Sequence, residues 1–151
     1  MKHLEFKTTI NAPAAMVWNT MLSPASYKAW TKNAWPGSYF IGDWGKDEEI
    51  KFVGEEGGGT TATIEEFQEY KTILAKHIGV ILKDGTVEKN DEIAKDWVGT
   101  MERYTFLEEN GKTIVQIDID TPPSWAEMFE EGWSIALNDL KLLTEQAVTQ
   151  V

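Results

Sequence analysis

Two titratable side chains fall where a strand pattern would turn them inward. In "WVGTMERYTF", residues 97–106, Glu102 and Arg103 are neighbours, and neighbouring residues of a strand point to opposite faces, so one charge should face the interior. Counting from Tyr104 and Phe106 places Glu102 on their face together with Val98, and Arg103 with Met101 and Leu107. If the Tyr104/Phe106 face is concave, Glu102 points inward and Arg103 outward. In "YKTILAKHI", residues 70–78, His77 shares a face with Ile73 and Ala75 and can project into the same space. A carboxylate removed from water needs a partner: His77, a donor such as Tyr104, water or a ligand group. A Glu102–His77 pair can work as general acid and base, can anchor a ligand, or can simply fix strand register in a buried polar network.

The second candidate set is aromatic. Seven Trp, four Tyr and six Phe are many for 151 residues. Trp18, Tyr27, Trp30, Trp35, Phe40, Phe129 and Trp133 suit either a packed core or the wall of an apolar ligand site. Without Tyr27, and with His77, Glu102 and Tyr104 added, they form the candidate binding set of nine. Other motifs are weaker. "GGG" at 57–59 lacks the Lys-Ser/Thr and following helix of a phosphate loop, so it reads as a hairpin turn. "DWGKDEE" at 43–49 lacks the spacing of a calcium loop and reads as a solvated turn. Asp118 and Asp120 alternate with Ile117 and Ile119, which puts them on the outer face of a strand. With two His and no Cys, no metal site is expected, and no cofactor motif is present.

The elements that must position these residues follow from periodicity. "HLEFKTTI" (3–10) alternates as a half-buried strand. "NAPAAMVWNTML" and "SPASYKAW" read as two short helices, with Pro13 in the first turn of one and Ser23 capping the other ahead of Pro24. "SYFIGD", "EEIKFVG", "TTATIEEF", "YKTILAKHI", "WVGTMERYTF" and "KTIVQIDID" then read as an antiparallel meander. The longer link "KDGTVEKNDEIAKD" (83–96) is expected to hold a helical turn capped by Asn90. Finally, "TPPSWAEMFEEGWSIALNDLKLLTEQAV" keeps three-and-four apolar spacing from Trp125 to Leu143. Ser124 three residues before Glu127 suggests a capping box, with Glu127, Glu130 and Glu131 near the positive helix end.

Composition narrows the function. Hydrophobic residues at 42% and charged ones at 26% fit one globular domain over 1–151. A net charge of −11 repels phosphate backbones and anionic headgroups, so neither nucleic acid nor a membrane is an expected partner. "MKHLEFKTTI" lacks the apolar run of a signal peptide and no segment is long enough to span a bilayer, so a cytoplasmic location is expected.

Element order together with "INAPAAMVW", "SPASYKAWT", "PGSYFIGDW", "HIGV", "WVGTMERYTF" and the terminal helix from Ser124 resembles the START-like, or SRPBCC, superfamily. The likeness is strongest to bacterial homologues of the C-terminal domain of the activator of the 90-kDa heat-shock protein ATPase. It implies an α+β helix-grip fold: a curved antiparallel sheet of about six or seven strands wrapped around a long C-terminal helix, with two short helices after the first strand. It also implies a small hydrophobic or aromatic ligand held between sheet and helix. Two alternatives remain open: a cyclase- or hydrolase-like enzyme using Glu102 and His77, and an interaction module for a chaperone or other protein partner.

Overall fold

The computed structural model describes residues 1–90, 92 and 94–149. The chain starts with β1 (Lys2–Ile10), whose alternation buries Leu4 and Ile10. Two helices follow, α1 (Ala14–Leu22) and α2 (Pro24–Thr31). The meander is β2 (Tyr39–Ile41), β3 (Glu49–Val53), β4 (Gly59–Gln68), β5 (Thr72–Ile81), β6 (Val87–Glu88), β7 (Met101–Glu109) and β8 (Lys112–Thr121). The last element is α3 (Pro123–Thr149), 27 residues and so about 40 Å long.

All strand pairs are antiparallel, in the spatial order β1-β8-β7-β5-β4-β3-β2, with the two-residue β6 pairing only β5. Register shifts between β4 and β5, at Thr61/Ala62 and at Ile64/Glu66, act as bulges that bend the sheet. The result is a curled half-barrel with α3 lying in its grip, the α+β helix-grip architecture. Every second residue of the central strands faces α3: Ile73, Ala75 and His77 from β5, Glu102, Tyr104 and Phe106 from β7, and Val115, Ile117 and Ile119 from β8. The matching face of α3 buries Ala126, Trp133, Ala136, Leu137 and Leu140. Among the described residues no helix is long and apolar enough to cross a membrane.

The charge parity resolves as expected. Glu102 is 6% exposed on the concave side, whereas Arg103 lies outside and donates to Glu66 at 3.0 Å and to Thr72 at 3.1 Å. Several local expectations are corrected. The strand expected from Trp97 begins only at Met101, because Gly99 takes φ +93° and the Thr100 hydroxyl donates to the Trp97 carbonyl at 2.7 Å, closing a turn. Val98 therefore sits in that turn and does not share a strand face with Glu102. The terminal helix starts at Pro123, so Ser124 lies inside its first turn, which contains no acid, and does not occupy the cap of a capping box. Pro123 suits the first helical position because its φ is preset and its missing N–H would be unpaired there anyway. Ser23 does stand ahead of α2, yet its hydroxyl makes no capping bond; its N–H closes α1 by donating to the Asn19 carbonyl. The turn expected around Asn90 involves positions 91 and 93, outside the described residues.

One close approach fixes α3 against the loop after α2. A Cβ on Gly132 would stand 2.5 Å from three atoms of the Trp35 indole. Gly132→Ala would gain about 1 kcal/mol of helix propensity, but overpacking typically costs about 1–3 kcal/mol. We expect a net loss of up to about 2 kcal/mol in urea unfolding, with the overpacking cost outweighing propensity. A more stable variant would show that Trp35 yields freely.

Candidate functional site

The grip between sheet and α3 is not filled. A cavity of about 420 Å³ remains, within the range of small-molecule sites. Its wall is built by Met21 and Leu22 at the end of α1, Tyr27 and Trp30 from α2, and Trp35, Ser38 and Trp44 from the connections around β2. Phe52 and Val53 of β3 join Gly58, Gly59 and Thr60 across the hairpin, and His77, Glu102 and Tyr104 form the floor. The loop residue Trp97 and Trp125, Met128, Phe129 and Trp133 of α3 complete it. Six of the seven Trp are in this wall, all except Trp18, so the aromatic excess belongs to the cavity more than to the general core. Met128 is 48% exposed and marks where the cavity reaches the surface.

Seven of the nine expected binding residues are brought together here: Trp30, Trp35, His77, Glu102, Tyr104, Phe129 and Trp133. Two are not. Trp18 faces the opposite end of the core, edge-on to Phe67, Tyr70 and Phe106, because the register of α1 turns it towards β4 and β7. Phe40 stands one layer back, against Tyr27 and Trp44. Sequence reasoning missed Trp44, Trp97 and Trp125 as wall residues. Trp125 had a signal, since it precedes Phe129 by one helical turn; Trp44 and Trp97 lie outside regular elements, where periodicity is silent.

The polar floor is small and buried. His77 Nε2 lies 3.4 Å from Glu102 Oε2, with both side chains almost wholly buried. That distance is within ion-pair range, but the alignment makes no hydrogen bond, and both imidazole nitrogens lack a hydrogen-bond partner in the protein. The ring is held instead by Trp97, tilted 31° at a centroid distance of 3.9 Å. Its backbone is pinned as well, with the N–H donating to Thr100 and the carbonyl accepting from Gly99. Burial, then the Glu102 charge, push the Tyr104 phenol well above its ordinary range. Tyr27 is raised by the same two causes in the same order. Both phenols therefore stay neutral at ordinary pH. No Lys or Arg is in the wall.

Among the described residues, the buried side-chain atoms without a protein partner besides those of His77 are the indole N–H groups of Trp44, Trp97 and Trp133, all from residues of the cavity wall.

A separate polar cluster lies on the outer face of the sheet. His3 Nδ1 is 2.8 Å from Asp120 and its Nε2 is 3.4 Å from Asp118, with Glu5 beside them. Asp118 and Asp120 thus face outward as expected. The hydrogen bond to Asp120 leads in raising the His3 pKa. A raised folded pKa means that this contribution to stability is full below the ordinary value of about 6.5 and fades as pH rises through the raised one. In thermal melts from pH 5.5 to 8, His3→Gln should remove that decline. An equal decline in the variant would assign it to other groups.

No family model matches the chain, and no curated protein does. Solved structures do resemble it. A protein from Mesorhizobium loti superposes with a TM-score of 0.75 at 11% identity, over 96% of this chain and 98% of that one. The Aha1 dimer structure from Colwellia psychrerythraea gives 0.70 at 18% identity, covering 96% and 97%. A Cytophaga hutchinsonii protein gives 0.71 at 21% identity, covering 99% and 97%. Likeness at this level establishes the fold alone, an α+β helix-grip architecture shared with the Colwellia psychrerythraea structure.

Proposed function

We propose that this protein binds a small, largely aromatic molecule between its curved sheet and α3. The observation that carries the reading is the cavity of about 420 Å³ that stays open although six Trp surround it. Those side chains are large enough to close a smaller grip, and interiors otherwise pack with few voids larger than a water molecule. Native mass spectrometry of protein purified from its own host should find a retained organic molecule. The neutral naphthalene dye Prodan should also bind, with blue-shifted emission. The absence of both a retained mass and Prodan binding would overturn the reading.

One observation favours a second reading, a cyclase- or hydrolase-like enzyme. His77 and Glu102 approach to 3.4 Å, both buried and both in the cavity wall, which is a workable arrangement for general acid–base transfer. Under this reading Glu102→Gln abolishes conversion of the retained molecule while Prodan still binds. If Glu102→Gln leaves binding and turnover unchanged and lowers only the unfolding midpoint, the pair holds the sheet and nothing else.

A further inference from the structure

The cavity wall holds one acid whose charge the protein leaves without a hydrogen-bonded counter-ion. Glu102 is the only carboxylate among the described wall residues, and the wall contains no Lys or Arg. His77 comes within 3.4 Å of it, but both imidazole nitrogens are sealed and make no hydrogen bond. The indole nitrogens of Trp44, Trp97 and Trp133 are sealed in the same way, so none of these nitrogens opens on the cavity. The carboxylate oxygens of Glu102 and the phenol oxygens of Tyr27 and Tyr104 are not among the sealed, unpartnered atoms. These three side chains supply the polar surface that a ligand can meet. The direction of the carboxylate follows from whom its charge acts on. It raises the phenol of Tyr104, two residues along β7, and also that of Tyr27, which comes from α2 and not from the sheet. Glu102 therefore projects from β7 towards α2, into the space that both elements line.

Three classes of ligand meet this wall differently. An anion would face Glu102 with no cationic side chain to receive it. A neutral molecule can offer the carboxylate only an ordinary hydrogen bond. A protonated amine offers a charge-assisted one, roughly twice as strong, and aromatic surroundings attract the same charge. Those surroundings are present: the rings of Trp44 and Trp133 stand 6.5 and 6.1 Å from Tyr104, and Trp30 stands 5.1 Å from Tyr27. The net charge of −11 also draws cations towards the protein.

Resting on the binding reading above, we propose that the ligand carries a protonated amine on a flat aromatic body, with the ammonium seated at Glu102 between Tyr27 and Tyr104. The aromatic part then fills the cavity towards its opening at Met128. An arylalkylamine has this chemistry; a fatty acid or a plain hydrocarbon does not.

Three probes of one shape test it by calorimetry at pH 7: 1-naphthylmethylamine, 1-naphthylmethanol and 1-naphthoate. Sodium chloride at about 0.5 M screens the exposed acids, so a preference that survives it comes from a buried charge. The amine should bind at least about tenfold tighter than the alcohol and displace Prodan, and naphthoate should be the weakest. Glu102→Gln keeps the side-chain shape and removes the charge. It should bring the amine to within about threefold of the alcohol, while the alcohol still binds. Equal binding of amine and alcohol, or tighter binding of the alcohol, would overturn the proposal and leave the apolar cavity standing. Tightest binding by naphthoate would overturn it in favour of an anionic ligand. Amine binding that leaves Prodan in place would put the amine outside the cavity and overturn it too. An undiminished amine preference in folded Glu102→Gln would overturn the seat at Glu102; if that variant does not fold, the wild-type ratios decide. Failure of all three probes while Prodan binds would overturn this proposal alone, and failure of Prodan as well would overturn the binding reading beneath it.

Discussion

Trp97→Ala should lower stability by about 3–5 kcal/mol, the usual range for truncating a buried aromatic side chain. Trp97 comes from a connection and not from a strand, yet it is 1% exposed. Its ring lies 3.9 Å from His77, 5.1 Å from Trp125 and 5.7 Å from Phe129, the last nearly parallel at 11°. It also packs in a small second core with Leu4, Ile119 and Ala126. Removing it deletes the contact that orients the imidazole and joins new space to the existing cavity. Water can then reach His77 and Glu102, so the loss of apolar burial comes with hydration of the buried pair. Two readouts are expected to move together. The urea midpoint falls, and Prodan emission shifts towards its aqueous wavelength. A loss below about 1 kcal/mol would mean that residues 94–100 reclose over the gap.

That residue also shows where sequence reasoning reached its limit. Strand parity placed Glu102 inside and Arg103 outside, because a period of two leaves no third choice once Tyr104 and Phe106 are buried. His77 followed by the same logic, and the structure sets it 3.4 Å from Glu102 across strands that are far apart in sequence. The apolar stripe of α3 was legible for the same reason, since its period of 3.6 holds over the whole helix. Trp97 was not legible as a wall residue. Its neighbours look like a strand, and only the positive φ of Gly99 shows that the chain turns there. Trp44 was hidden among charged turn residues, and its burial depends on rings from β3 and β7 that local pattern does not connect to it. Trp18 misled in the opposite sense: it is buried and aromatic, but which end of the core it enters is set by the rotation of α1. Whether a core is filled or open is a sum over all such packing choices. Periodicity reports faces, and it does not report the volume left between them.

The open volume depends most sharply on Gly59. A Cβ at that position would stand 1.8 Å from the Phe52 carbonyl oxygen and 2.9 Å from its carbon, both backbone atoms of the paired strand. A flexible side chain could move aside; a strand held by its own ladder cannot do so without breaking hydrogen bonds. Gly59→Ala must therefore push β3 and β4 apart at Val53↔Gly59, next to the tight turn that Gly54 and Gly58 close at 2.8 Å. We expect a loss of about 3 kcal/mol or more, in the tail reserved for backbone collisions and core disruption. The control is Gly45→Ala, where the added methyl meets only the Glu48 Cγ at 3.4 Å and the unfolding midpoint should barely move. Function should fall with stability, because Phe52, Val53, Gly59 and Thr60 are contiguous cavity wall. At a temperature where the variant is still folded, Prodan affinity should drop while Gly45→Ala binds normally. Normal affinity in folded Gly59→Ala would place the binding site elsewhere, since the wall containing this pair of strands could not have kept its shape.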